Sequence, residues 1–296
     1  VALERLLGSR AAFDEPLARH TSLRVGGPAD VLARPASREE LVALLALCRD
    51  ARLPWWILGG GFNTLVHDGG FRGVVISLGG WRALRAEGDC VIADAGVSHS
   101  ALTRMCAESG RAGLEFGVGI PGTIGGWLRM NAGIRERSVG DATEALEVVN
   151  ALDGTQRWMP AHALVWRYRA LELPDGAVVV AGRFRTQPDE PEAIRARMDT
   201  LLARRRETQP VTEPSCGSVF KNPPGDHAGR LIEAAGLKGS RAGSARISEL
   251  HANFIVTERG ATADDVLTLI ERAQEEVAKL FGVALEPEVR VVGEPA

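Results

Sequence analysis

The sequence predicts an α+β fold laid out as three consecutive units: a small α/β unit over residues 1–79, a sheet-rich unit over 80–207, and a smaller α+β unit over 208–296. Three observations carry this prediction. In the first third, strand and helix patterns alternate around a glycine-rich turn. From about residue 81 onward, strand-prone runs dominate and helices become few. Residues 208–214, TQPVTEP, then form a proline-bounded linker, after which helix and strand patterns mix again.

In the first unit, Gly26-Gly27-Pro28 makes a turn and residues 29–33 read as a strand. Ser37-Arg38-Glu39-Glu40 is a capping box that starts a helix. Leu41, Leu44, Leu45 and Cys48 fall on one face of it, and Pro54 ends it. The apolar run Trp55-Trp56-Ile57-Leu58 reads as a buried strand that runs into Gly59-Gly60-Gly61-Phe62-Asn63-Thr64-Leu65-Val66. Three glycines at a strand end let a ligand approach the backbone closely, and Asn63 and Thr64 add side-chain donors. A strand over 74–78 completes the unit.

The second unit opens with a strand at 90–95 and a helix at 98–109, closed by Gly110, with Ala101, Leu102 and Met105 inward. Residues 117–133, GVGIPGTIGGWLRMNAG, follow. Gly122, Gly125 and Gly126 are spaced too closely for a stable helix. Such a run is either an ordinary tight connection or a place where backbone N–H groups converge on a phosphate. It lacks the strand, G-x-G-x-x-G and helix order of a dinucleotide fold. Residues 145–151, the turn Asp153-Gly154 and residues 156–159 read as a hairpin, and 177–184 as a strand. Pro191 opens a helix with Ile194, Met198, Leu201 and Leu202 on one face. It ends at Arg204-Arg205-Arg206, three groups read as solvated.

In the third unit a helix over 228–235 stops at Gly236, and residues 253–257 form a strand. The longest helix spans 262–281, with Val266, Leu269, Ile270, Ala273, Val277 and Leu280 inward and Gly282 beyond its end. Residues 214–223, PSCGSVFKNP, crowd two hydroxyls, a thiol, an amine and an amide into a proline-bracketed loop.

Composition narrows the function. Of 296 residues, 45% are hydrophobic and 25% charged, as in a soluble globular protein. A formal charge of −3 provides no basic stripe for nucleic acid, so an anionic substrate must be met by a few local cations. No run approaches the roughly 20 apolar residues of a membrane span, and the amino end does not read as a signal peptide. Cys48, Cys90, Cys106 and Cys216 show no metal-ligand spacing, which suggests a reduced, cytoplasmic chain with no metal.

Two glycine cradles, each fed by a strand, suggest one large diphosphate cofactor held from two sides. At this point the motifs become specific. GGGFN-T-L-V and G-I-P-G-T-I-G-G…M-N-A-G resemble the two flavin-binding motifs of the UDP-N-acetylenolpyruvoylglucosamine reductase family, which completes the muramic acid precursor of peptidoglycan. The resemblance implies a two-part FAD-binding domain of the vanillyl-alcohol-oxidase/PCMH type, with subdomains over 1–79 and 80–207. A substrate-binding domain would occupy 208–296, its C-terminal end returning toward the FAD-binding part. FAD would be held non-covalently by Leu58, Gly59, Gly60, Gly61, Phe62, Asn63, Thr64 and Leu65. The second motif would add Gly119, Ile120, Pro121, Gly122, Thr123, Gly125, Gly126, Asn131, Ala132 and Gly133. NADPH is the implied co-substrate, UDP-N-acetylenolpyruvoylglucosamine the substrate, and a monomer is expected.

Three further motifs are similar to the family's catalytic set. In G-S-V-F-K-N-P, Ser218 stands where the family has the serine that protonates a carbanion. A serine is a poor acid, so it serves only a much stronger base and only if its alkoxide is stabilised; Lys221 could supply that charge. Tyr168-Arg169 resembles the pair whose Arg holds the substrate carboxylate, a task suited to a permanently charged fork. Glu288, in L-E-P-E-V-R, would stabilise the intermediate together with Arg169. A bare carboxylate repels an enolate, so Glu288 must be protonated or must position a donor. The implied chemistry is hydride transfer from FAD N5 to C3 of the enolpyruvyl group and protonation of C2 by Ser218. Tyr168, Lys221, Asn222, Lys238, His251 and Asn253 are the implied substrate contacts.

Some positions depart from the family pattern. His20 replaces an Asn, Phe62 a Ser, and Cys216 sits at a small-residue site. Ala170-Leu171 replaces a polar residue and Ser, and Ile134-Arg135-Glu136 an aromatic-Gly pair. No tyrosine follows Tyr168, so the chain resembles the shorter subtype, which lacks a tyrosine-bearing substrate loop. Two other readings stand beside this one: an oxygen-using flavoenzyme on the same scaffold, and a non-catalytic flavin- or nucleotide-binding protein.

Overall fold

The computed structural model describes residues 2–134 and 137–296. The chain clusters into two compact units. The first runs to Phe13 and takes up again at Val31–Gly60 and Gly73–Ala203; the second comprises Asp14–Asp30, Gly61–Arg72 and Arg204–Ala296. Residues 14–30 and 61–72, placed with the first unit in the sequence, thus cluster with the C-terminal third. Strand pairing accounts for the later segment, because Thr64–Val66 runs parallel to Arg290–Val292.

In unit 1, a short helix α1 (Ala2–Leu7) precedes α2 (Arg38–Asp50). The Ser37 side chain caps α2 by accepting from Glu40 N. The reciprocal half of the expected capping box is not made, because the Glu40 carboxylate accepts from Ala36 N at 2.8 Å and from the Arg10 guanidinium. Leu41, Leu44, Leu45 and Cys48 are buried as expected, against Val74, Ile76, Val149 and Val178. Strand Trp55–Leu58 pairs in parallel with Phe71–Ser77. It lies at the edge of its four-stranded sheet, so only Leu58 is buried, contrary to the expectation for the whole run.

A five-stranded antiparallel sheet follows, in the order Gln156–Pro160, Thr143–Asn150, Ala177–Arg185, Cys90–Asp94, Leu84–Glu87. The expected hairpin at residues 145–159 is its first pair. Helix α3 (His99–Glu108) is capped by Ser98 and buries Leu102 and Cys106, while Ala101 and Met105 are half-buried. The glycine stretch holds a helix where none was expected, α4 (Ile124–Arg129). Propensity loses to packing: Ile124, Trp127 and Leu128 are buried in one core. Gly125 also permits a close approach, since a Cβ there would lie 3.1 Å from Ala95 Cβ. Helix α5 (Val139–Ala142) is short, and α6 (Pro191–Thr208) buries only Ile194. Of the three arginines ending α6, Arg204 and Arg206 are exposed. Arg205 departs from the solvated reading. It is half-buried, its Nε has no partner among the described residues, and burial lowers its pKa.

Unit 2 is built on a four-stranded sheet in the order Ser215–Ser218, Phe254–Thr257, Ala245–Ile247, Arg241–Ala242, with helices α7 (Ala228–Ala234) and α8 (Ala263–Phe281). The expected loop at 214–223 therefore begins as a strand. Helix α8 opens with a capping box between Thr262 and Asp265, and its first N–H groups are also taken by the Asp68 carboxylate. Its apolar face packs with Leu23, Leu65, Phe220 and Leu231. Leu280, expected inward, is 53% exposed in the last turn before Gly282, whose φ of 67° ends the helix. Among the described residues, no helix is long and apolar enough to cross a membrane, and no cluster of metal-ligating side chains occurs.

Candidate active site

In unit 1 the two glycine stretches meet. A Cβ on Gly59 would lie 3.0 Å from Thr123 Oγ1 and 3.9 Å from the Gly126 nitrogen. Gly119 and Gly122 take φ of 74° and 122°, a region that side chains disfavour. Among the described residues, the N–H groups of Gly60 and Gly126 find no acceptor. Donors without partners, set where no side chain intrudes, fit a diphosphate group. Leu58, Gly59 and Gly60 are thus brought together with the 119–126 segment.

Beneath that segment lies a residue that no motif singles out. His99 is 3% exposed, and its Nδ1 is 2.9 Å from Ile120 O, so Nδ1 carries the proton. Its ring centroid is 4.1 Å from that of Trp127. His99 Nε2 and Trp127 Nε1 are buried without partners among the described residues. Burial drives the His99 pKa down to about 3, so the imidazole is neutral. The folded state binds a proton less readily than the unfolded chain, whose histidine titrates near 6.5. This contribution is complete above pH 6.5 and is lost as pH falls toward 3, at up to ~1.4 kcal/mol per unit. Urea titrations at pH 7 and pH 5 should show the native protein losing about 2 kcal/mol more than His99→Leu.

The rest of the first glycine loop belongs to unit 2. Gly61 passes so close to the chain that a Cβ would fall 2.0 Å from His20 O. Phe62 is exposed, whereas Thr64 and Leu65 are buried in their strand. Asn63, expected as a donor to a ligand, gives Nδ2 to Glu288 O at 3.0 Å, and its carbonyl accepts from Arg290 N at 3.1 Å. It therefore braces the segment that carries Glu288.

Tyr168 and Arg169 form the two-residue turn of a hairpin between Val165–Arg167 and Ala170–Glu172. Arg169 takes φ of 58°, uncommon for a non-glycine residue. Its guanidinium lies 4.7 Å from the Tyr168 ring centroid and donates Nη2 to Gly133 O at 2.9 Å. A cavity of about 340 Å³ opens here, lined by Asn131, Trp166, Tyr168 and Arg169 among others. A larger cavity, about 610 Å³, lies around Glu115, Arg185 and Arg197 and holds none of the expected site residues. Asn131 and Ala132 are engaged with the protein itself: Ala132 N donates to Trp127 O and its carbonyl accepts from Val139 N. Arg135 and Glu136, part of the noted departure from the family pattern, lie outside the described residues.

In unit 2, the strand carrying Ser218 contains a register shift between Ser215 and Ser218, with Gly217 at φ 77°. Such a bulge re-aims the next side chain. Ser218 is half-buried, and its hydroxyl has no partner among the described residues. Val219 pins the backbone beyond it, donating to Asn253 O at 2.8 Å and accepting from Glu288 N at 2.7 Å. Ser218 and half-buried Glu288 thus lie on adjoining segments. Asn253, expected to touch substrate, accepts from Phe220 N and donates to Phe220 O, fixing the same segment. Cys216 is buried, and burial, aided by the Glu288 charge, pushes its thiol up to about 12, so it is no thiolate at neutral pH.

The remaining candidates separate into groups. Lys221 pairs with the Glu286 carboxylate, and Asn222 accepts from Ala228 N at the start of α7. Lys238 pairs with Glu233 at 2.7 Å. The His251 ring packs over α7, where a Cβ on Gly229 would lie 3.0 Å from it. His251 Nδ1 accepts from Asn253 N, which leaves Nε2–H as a donor. Burial first, and then Lys238, lowers its pKa.

Fold and cradle together define a FAD-binding oxidoreductase. Residues 29–159 match a family model described as FAD binding domain, and residues 209–292 match one described as UDP-N-acetylenolpyruvoylglucosamine reductase, C-terminal domain. The chain is 50% identical to the UDP-N-acetylenolpyruvoylglucosamine reductase of Alkalilimnicola ehrlichii, over 95% of this chain and 94% of that one. For the enzyme of that name from Moorella thermoacetica, identity is 47% over 95% and 93%. The chain belongs to the UDP-N-acetylenolpyruvoylglucosamine reductase family. A crystal structure of the Thermus caldophilus reductase superposes with a TM-score of 0.82 at 38% identity, over 95% of this chain and 97% of that one. Phl p 4.0202, a glucose dehydrogenase, shares the fold alone, with a TM-score of 0.51 and 15% identity over 64% of this chain and 45% of that one.

Proposed function

We propose that this chain reduces the enolpyruvyl ether of UDP-N-acetylenolpyruvoylglucosamine to UDP-N-acetylmuramate, using FAD and NADPH, with Arg169, Ser218 and Glu288 as its catalytic residues. FAD, when bound, supplies the hydride that NADPH provides. Gly59, Gly60 and residues 119–126 would hold its diphosphate. Arg169 grips the substrate carboxylate, whose charge grows as C3 of the vinyl ether is reduced. Ser218 donates its proton to C2, which is basic enough at that moment to take it from a hydroxyl. Glu288 supports the developing charge as a protonated acid or by orienting a donor.

The observation supporting the acid assignment is the bond from Glu288 N to Val219 O, which ties the two residues to one scaffold. Lys221, Asn222, Lys238 and His251 are our candidates for the sugar and diphosphate, and Asn253 acts through Phe220. Functionally we keep residues 1–79 and 80–207 as the cofactor part and 208–296 as the substrate part. The lone tyrosine, Tyr168, suits the shorter subtype. We read the enzyme as a cytoplasmic monomer, its four free cysteines suiting a reducing compartment.

The purified protein should be yellow. NADPH should bleach it under argon, and the colour should return on adding the enolpyruvyl substrate, not with a substrate analogue lacking the double bond. Colour restored equally by oxygen alone, with no response to substrate, would favour an oxidase on the same scaffold.

A further inference from the structure

We propose that Asn131 is a positioning residue for Arg169, and that its side chain serves the arginine-bearing turn rather than the cofactor. The inference rests on the carboxylate-binding role given to Arg169 above. Asn131 is 6% exposed and sits at φ 41°. Its Nδ2 donates to Arg167 O at 2.8 Å, and its Oδ1 accepts from Gly140 N at 3.0 Å. Arg167 is the last strand residue before the Tyr168-Arg169 turn, so the first bond anchors one leg of the hairpin. The second ties the same side chain to α5. Two residues on, Gly133 O accepts from Arg169 Nη2 at 2.9 Å. One short stretch therefore holds both the main chain of the hairpin and the guanidinium at its tip.

This arrangement suits a task that depends on direction. A guanidinium binds a carboxylate through a planar fork, so its grip depends on orientation as much as on charge. A left-handed backbone at a non-glycine residue persists only where its surroundings over-determine it, and Arg169 is such a residue. The space around Asn131 is filled as well. A Cβ on Gly140 would lie 2.8 Å from the Trp166 ring and 3.0 Å from Asn131 Oδ1. Asn131 thus sits in a packed joint between α5 and the hairpin.

The test uses the holoenzyme and separates its half-reactions. Asn131→Gly accepts the same positive φ and deletes both side-chain bonds. Flavin affinity should stay within about twofold and NADPH bleaching should proceed at the native rate. Reoxidation by the enolpyruvyl substrate should fall on the order of 10²-fold, with a raised KM, as misplacement of a binding group predicts. Asn131→Asp keeps the acceptor for Gly140 but loses the donor to Arg167, and should show the same pattern in milder form. In an Arg169→Ala background, Asn131→Gly should add no more than about a twofold loss, because the residue acts through Arg169. Weakened FAD binding with normal reoxidation would overturn the proposal, as would losses that multiply in the double variant. If Arg169→Ala alone leaves rate and KM unchanged, it is the carboxylate role itself that fails.

Discussion

Ser218→Ala should be bleached by NADPH at the native rate and then fail to regain its colour with substrate, the second step slowing about 10³-fold. The Ser218 hydroxyl makes no hydrogen bond among the described residues, so its removal leaves no orphaned group. The backbone on its C-terminal side is held by Val219, whose bonds to Asn253 and Glu288 do not involve the serine side chain. Stability should therefore change by less than about 1 kcal/mol, and a loss of the second step can be assigned to the missing proton donor. Rapid-mixing spectroscopy, reading flavin absorbance first with NADPH and then with substrate, measures both halves on one sample. If the alanine variant completes both at native speed, the acid lies elsewhere.

A second large effect is expected from Gly59→Val, which should weaken FAD binding by about 10- to 100-fold. Even a Cβ at this position would come within 3.0 Å of Thr123 Oγ1, and valine adds two methyl groups beyond it. Overpacking of this kind costs about 1–3 kcal/mol, which corresponds to the stated range if it falls on the bound state. Flavin released on dilution, followed by fluorescence, reads the change directly. Gly80→Val provides the control, since no atom lies within 4 Å of a Cβ there and its backbone is not left-handed. Equal flavin retention in both variants would mean that the meeting of the two loops has no part in holding the cofactor.

Sequence patterns reached far where a rule is local. Ser37 caps the helix that the pattern placed after it, Ser98 and Thr262 turn out to cap the helices expected over 98–109 and 262–281, and Gly236 and Gly282 take the left-handed backbone expected of helix stops. Glycine runs marked the two cradles, and the family resemblance pointed to Arg169 and Ser218, though not to the turn and the strand that carry them. What stayed hidden depends on partners distant in the chain. Nothing near Gly125 tells that Trp127 and Leu128 will be buried deeply enough to force a helix on a glycine pair. Asn63 reads as a ligand donor until Glu288 appears beside it, and Asn253 as a substrate contact until Phe220 claims its amide. His99 has no sequence signal at all: a histidine just past a serine cap could face either way.

The parallel pairing of Thr64–Val66 with Arg290–Val292 has a consequence for how the molecule is made. The C-terminal lobe recruits Leu23, Val25 and Leu65 into its own interior, so a fragment beginning after residue 207 would lack three apolar side chains of its core and one partner for its last strand. On the ribosome, those residues emerge well before residues 216–289, with which they share that core. The unit built around residues 204–296 is therefore completed only after the other unit has been synthesised, although it begins within residues 14–30.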